Sequence, residues 1–172
     1  WPTVREAVPE AELRCAYGWQ VFNSIAAIEG AELHAIRQEM EDRLKQPGVV
    51  WLDRIPQRGV KNLLDDARLW VYPCTYPEML SHVALRAQAR GAYPVVHPYA
   101  ALAETVMGGR LVHESPETED GKKACAQAII EELQRDPTVQ EVERRELREK
   151  ALQWHEAAAA GWEQALREDG LL

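Results

Sequence analysis

The sequence is poor in cysteine. Cys15, Cys74 and Cys125 are the only three, an odd number set far apart, which excludes a disulfide framework and any cysteine metal spacing. A reducing compartment follows, and the cytoplasm is the expected location. Positive charge is also short: 20 Lys and Arg stand against 28 Asp and Glu, for a formal net charge of −8. A chain of that balance repels a phosphate backbone, so no nucleic-acid surface is expected, although a local basic pocket for one diphosphate remains open. No apolar run approaches the roughly 18 residues of a membrane span, and no signal-peptide pattern is present. His34, His113 and His155 are scattered without metal spacing and are read as structural. Repeats and low-complexity linkers are absent too; the run Ala157 to Ala160 favours helix.

What is there is an ordinary globular composition, 46% apolar and 28% charged over 172 residues, enough for one domain with a real core. The chain alternates helices with short apolar runs. Residues 1–8 read as the end of a helix with Pro2 in its first turn, so chain upstream of Trp1 is expected. Residues 11–16 alternate as a strand does, and Tyr17-Gly18-Trp19 breaks it. Leu33, Ile36, Met40 and Leu44 stand at helical spacing over 31–45, ended by Pro47-Gly48. Val49 to Leu52 is a buried strand, and a short helix covers 58–66. Leu69 to Tyr72 is the next strand, stopped by Pro73. A helix follows over 81–90 with Val83, Ala84 and Ala87 on one face and Gly91 as its stop. Strands at Pro94–His97 and Arg110–His113 flank a short helix near 101–107. Asp120 is read as the N-cap of a helix to about 135; helix then runs from 138 almost to the end, with a bend at Gly161.

Strands of four to six residues separated by helices, and apolar on both faces, predict an α/β fold with a parallel sheet covered on both sides. Ligands of such sheets sit at the carboxyl ends of the strands. The informative stretch there is Tyr72 to Val106. A strand ends at Tyr72, and a rigid loop from Pro73 to Pro77 sets Glu78 just beyond it. Ser81 can cap the next helix, whose N-terminal amides and partial positive charge make a ready anion site. Amides for phosphate and a carboxylate for sugar hydroxyls suit a sugar phosphate. The same features also fit a solvated loop acid at an ordinary helix start.

The series Pro73, Thr75, Glu78, Ala87-Gln88-Ala89-Arg90-Gly91, Pro94-Val95-Val96 resembles the donor-site signature of retaining glycosyltransferases of the group 1 (family 4) class. Ala101 to Val106 with Gly109, the strand Val50-Trp51-Leu52-Asp53 with Ile55, and Tyr17-Gly18-Trp19 extend the resemblance over nearly the whole chain. It implies a Rossmann-like parallel sheet with helices on both faces, the C-terminal half of a GT-B fold: one nucleotide-sugar-binding domain over 1–172, with 138–172 as C-terminal helices. The first strand of that domain, the basic residues after it and an N-terminal acceptor domain are then expected outside this sequence. The implied donor is a UDP-sugar or GDP-sugar, with no metal or other cofactor.

Carried over residue by residue, Glu78 is the acid that contacts hydroxyls of the donor sugar and the candidate catalytic residue. Met79, Leu80 and Ser81 supply the loop that meets sugar and diphosphate. Eight residues after Glu78 the family has a second Glu, which grips the ribose; this sequence has Arg86. Arginine has no acceptor and keeps its charge, so it does not replace that carboxylate. Either Arg86 meets a phosphate, helped by His82 on the same helix face with Arg90, or donor binding has decayed and Arg86 pairs with a neighbouring acid. Gly18, which permits close backbone approach, and Arg54 and Ile55 at the next strand end are candidate nucleotide contacts or plain loop; Trp19 is a nucleotide border or a packing anchor. His97 is read as satisfied locally and Glu104 as orienting its own short helix. Trp154, Ala158 and Trp162 form an apolar stripe that packs internally or, by the resemblance, docks the missing domain. A degenerate, non-catalytic nucleotide-binding module is the competing reading. Another enzyme on the same architecture, such as a nucleotide-sugar epimerase, would need acids that are not seen.

Overall fold

Short β-rich runs bounded by turn residues, with helical spacing between them, give thirteen elements in a computed structural model that describes residues 1–29 and 31–168. The order is α1 (Pro2–Ala7), β1 (Leu13–Cys15), α2 (Gln20–Glu29), α3 (Ala31–Leu44), β2 (Val49–Trp51), α4 (Gln57–Asp66), β3 (Leu69–Tyr72), α5 (His82–Ala89), β4 (Tyr93–Val96), α6 (Leu102–Thr105), β5 (Arg110–Leu111), α7 (Glu119–Gln134) and α8 (Pro137–Glu168). The protein is therefore mixed α/β, and every strand pairing is parallel. The strands form two sheets, β1-β2 and β3-β4-β5. Packing divides the chain into two compact units, Trp1–Asn62 and Leu63–Leu172. No helix among the described residues is long and apolar enough to cross a membrane.

In the first unit, Pro2 stands in the first turn of α1, where its missing N–H has no carbonyl to bind. Among its described residues, Val4, Val8 and Trp19 are buried and apolar. The Trp1 indole donates to the Pro47 carbonyl at 2.9 Å. Arg5 donates to the Ala11 carbonyl at 2.8 Å and also reaches that of Pro9, so one guanidinium gathers the turn after α1. β1 and β2 run in register from Leu13 beside Val49 to Cys15 beside Trp51.

In the second unit, β4 is buried along its whole length, as the centre of a covered parallel sheet requires. Val95 packs with Val112 and with Ala128 of α7, joined by Leu69 and Val71. The alternate residues Pro94 and Val96 are just as buried on the opposite face. α5 packs on β4 and on α8. A polar strap completes this core. Arg68 donates to the carbonyls of Leu133, Glu132 and Arg135 and to Gln140 Oε1, capping the end of α7 where helix carbonyls lack partners.

Several expectations are corrected. Residues 20–29, unassigned from sequence, form α2. The buried face of α5 is Ala84, Leu85, Ala87 and Gln88, whereas Val83, directly after the first helical residue, is exposed. α7 is capped by Thr118, whose hydroxyl accepts from the Gly121 amide at 3.0 Å. Asp120 lies inside the first turn instead, where a carboxylate complements the helix dipole. β5 is two residues long because its pairing with β4 ends at Leu111 beside Val96. α8 continues through Gly161. Its buried residues are Gln140, Leu147 and Ala151, while Trp162 is 72% exposed and Trp154 39%, so the tryptophan stripe is not internal packing among the described residues.

Candidate functional site

The site begins where β3 ends. Pro73 cannot donate a ladder hydrogen bond, so the strand stops and the loop Pro73–Leu80 leaves the sheet at its carboxyl edge. Within that loop the Glu78 amide donates to the Tyr76 carbonyl at 2.9 Å. The Glu78 carbonyl accepts from the Ala101 amide at 3.2 Å, so the loop after β4 is fastened to it. The Glu78 side chain is half-buried, and the Tyr72 hydroxyl donates to its Oε1 at 2.7 Å. Tyr72 is itself stacked on Trp70, with ring centroids 5.1 Å apart and an 18° interplanar angle. Burial, and then the hydrogen bond to the Glu78 carboxylate, push the Tyr72 phenol far above its ordinary titration range. The phenol is thus a permanent donor. Thr75 Oγ1 donates to Glu117 at 2.9 Å, bringing the segment before α7 against the same loop.

Ser81 is buried and is the N-cap of α5, its Oγ accepting from the Ala84 amide at 3.4 Å. The Leu85 amide binds the Ser81 carbonyl at 3.2 Å, while the amides of His82 and Val83 precede any intrahelical acceptor. Met79 is 98% exposed and Leu80 40%, so this loop presents its apolar side chains outward. His82 and Arg86 lie on the exposed face of α5. Arg90 does not continue their row: it is the C-cap and pairs with Asp65 at 3.2 Å. Past it, Gly91 takes φ +80°. Its amide donates to the Gln88 carbonyl at 2.9 Å and that of Ala92 to the Ala87 carbonyl at 3.0 Å, closing the helix with a Schellman motif.

Beyond β4, the His97 Nδ1–H donates to the Val112 carbonyl at 3.0 Å, so this histidine is satisfied locally as expected. Ala100 holds a left-handed φ of 49°, a conformation that strains a residue with a Cβ and that recurs at functional loops. The buried Gln88 ties α5 to α6. Its Nε2 donates to the carbonyls of Ala84 and Thr105 at 3.0 and 2.9 Å, and its Oε1 accepts from the Met107 amide at 2.8 Å.

Gly18, Arg54 and Ile55 belong to the first unit. A Cβ on Gly18 would meet Arg54 Cβ at 2.8 Å and Asp53 Oδ1 at 3.2 Å, so glycine is needed there for two loops to touch. Asp53 is left-handed at φ 52°. Ile55 closes on its own helix, leaving only 3.2 Å to a Cβ on Gly59. Trp19 is a packing anchor: it is 6% exposed, with Tyr17 and Phe22 edge-on at 5.3 Å and the Arg37 guanidinium 5.3 Å from its ring centre.

Glu78, Met79, Leu80, Ser81 and His82 thus share one loop and one helix start, whereas Arg86 stands in the last turn of α5, and Gly18 meets Arg54 separately. Sequence reasoning missed the Tyr72 contact; the signal was an aromatic hydroxyl at a strand end six residues before an acid. It also missed a cleft of the second unit, about 250 Å³, lined by Tyr93, Met107, Gly108, Gly109, Glu143, Glu146, Leu147 and Lys150. That cleft is at the opposite, amino-terminal edge of β4 and β5, and its Glu143 is already committed to Arg135. The loop at Glu78 carries the chemically apt groups: a half-buried carboxylate with one oxygen held, next to helix amides. No candidate metal cluster of His, Cys, Asp and Glu occurs among the described residues.

No family model, curated protein or solved structure matches the chain.

Proposed function

We propose that this chain is the donor-binding part of a retaining glycosyltransferase of the group 1 (family 4) class. On this reading the second unit is Rossmann-like and belongs to the C-terminal half of a GT-B fold, as the unbroken parallel β3-α5-β4-α6-β5 order supports. The observation that carries the reading is Glu78: a carboxylate just past the end of β3, held by Tyr72 at 2.7 Å and followed directly by the capped start of α5. The carboxylate accepts hydrogen bonds from hydroxyls of the donor sugar. The first amides of α5, with His82 beside them, meet the diphosphate as charge grows on it when the bond from the anomeric carbon breaks. The acceptor and the remaining basic groups come from an N-terminal domain, and the exposed Trp154 and Trp162 of α8 fit a surface that such a domain covers. The substrate is a UDP-sugar or GDP-sugar, used without a metal, in the cytoplasm.

Arg86 favours a second reading, a degenerate module that no longer grips a ribose. It occupies the exposed face of α5 with a cation where the resemblance calls for a carboxylate. Thermal shift with UDP, GDP, UDP-glucose and GDP-mannose tests both. Stabilisation by a conjugate supports donor binding; a folded sample that none of the four stabilises sinks it. Arg86→Glu separates the roles of the arginine, strengthening binding if the ribose grip has decayed and weakening it if Arg86 meets phosphate.

A further inference from the structure

We propose that Tyr72 is a positioning residue for Glu78: its hydroxyl holds Oε1 at 2.7 Å and so fixes the rotation of the carboxylate that accepts from a hydroxyl of the donor sugar. The assignment rests on the donor-binding reading above. Three restraints converge on this carboxylate. The backbone of Glu78 is tied on both sides, its amide to Tyr76 and its carbonyl to the Ala101 amide. Tyr72 is fixed as the last residue of β3, in register with Val96 and stacked on the buried Trp70. The phenol then fixes the rotation of the carboxylate. Among the described residues no hydrogen bond to Oε2 is present.

A glutamate on a loop otherwise samples several rotamers, and ordering it on binding opposes affinity. Tyr72 meets that cost in the folded protein. It also favours selectivity: with one lone pair of Oε1 taken and the carboxylate's rotation fixed, the remaining acceptor directions are set before a ligand hydroxyl arrives. The phenol is protonated at neutral pH as any tyrosine is, and burial moves it further from ionisation.

The test is calorimetric titration of UDP, UDP-glucose, GDP and GDP-mannose into the wild-type protein and Tyr72→Phe. The expected result is that Tyr72→Phe weakens the better conjugate roughly tenfold, the scale of one hydrogen bond to a charged group, while the bare nucleotide binds as before. A merely structural tyrosine weakens both together. Equal losses, or none, overturn the positioning role and leave donor binding standing; absence of binding by any of the four probes removes donor binding and the role together. A ligand-free arm reads the hydrogen bond itself. In Glu78→Gln the Tyr72 titration, assigned by its disappearance in Tyr72→Phe, moves down while burial still holds it above the ordinary range. An unmoved titration means that Tyr72 does not hold Glu78, and overturns the proposal.

Discussion

Ala100 offers a sharp test of how the loops around Glu78 are built. Its φ of 49° places an L-residue in the left-handed region, at a cost of about 1–2 kcal/mol. Ala100→Gly removes that cost but gives back about 0.4–1 kcal/mol, because glycine loses more freedom on folding. The net expectation is a gain of about 0.5–1 kcal/mol. Gly91 supplies the mirror experiment. It sits at φ +80°, and a Cβ there meets nothing within 4 Å, so Gly91→Ala is a pure backbone perturbation. The same two terms, reversed, predict a loss of about 0.5–1 kcal/mol. Urea denaturation followed by far-UV circular dichroism measures both, through a shift of midpoint at constant slope. The strain argument is refuted if Ala100→Gly destabilises, or if Gly91→Ala is neutral. Ala101, the next residue, carries the amide bound to the Glu78 carbonyl, so the loop holds its strain one residue from that contact.

Gln88→Ala is expected to cost about 2–3 kcal/mol in the same assay, because it strands the buried Thr105 carbonyl and the half-buried Met107 amide besides removing a fully buried side chain. Unchanged stability would show that α5 and α6 are joined by something else. Arg135 grips both oxygens of Glu143, at 2.6 and 2.9 Å, and holds its carboxyl below the ordinary range. A folded-state value that is depressed gives stability above the unfolded value of about 4.3, lost as pH falls through the folded value. The Glu143→Gln variant, which leaves the Arg135–Glu132 pair in place, should therefore trail the wild type most at neutral pH, with the gap narrowing in acid. The Glu143 side chain is 38% exposed, so solvent screening keeps the effect small; a gap that does not change with pH would refute the ion-pair account.

The second unit was largely legible in the sequence. Leu69–Tyr72 and Tyr93–Val96 are short apolar runs between turn residues, and the strands lie within a residue of where those runs place them. Gly91 is a stop because only glycine takes its φ without strain. Helix faces were harder. Val83 is apolar yet exposed, because one turn of an eight-residue helix presents too few positions for the period to decide which residue turns inward. Thr118 and Asp120 are both good caps, and only the backbone, extended at Thr118 with ψ 156°, selects between them. α2 was missed because Gly18 reads as a break and Trp19 as its sequel, although that tryptophan packs edge-on against Phe22 inside the helix.

At the candidate site the acid, the cap and the exposed Arg86 were each visible as residue types. Their mutual arrangement was not. A hydrogen bond from Tyr72 to Glu78 depends on a loop path that Pro73 and Pro77 restrict but do not define, and the Ala101 tie comes from a segment far along the chain. The sheet pairings also lay beyond sequence reading, since strands of two to four residues carry little information about their partners.

The central claim, that ligand binds at the loop of Glu78 and the start of α5, is tested most directly by amide chemical-shift mapping of the protein with UDP-glucose and GDP-mannose. The account predicts that the amides of Glu78 to Val83 move most, with Ala101 following through its bond to Glu78. Shifts centred instead on Gly108, Gly109 and Glu146, in the cleft at the amino-terminal edge of the sheet, would contradict it, as would no shifts at all.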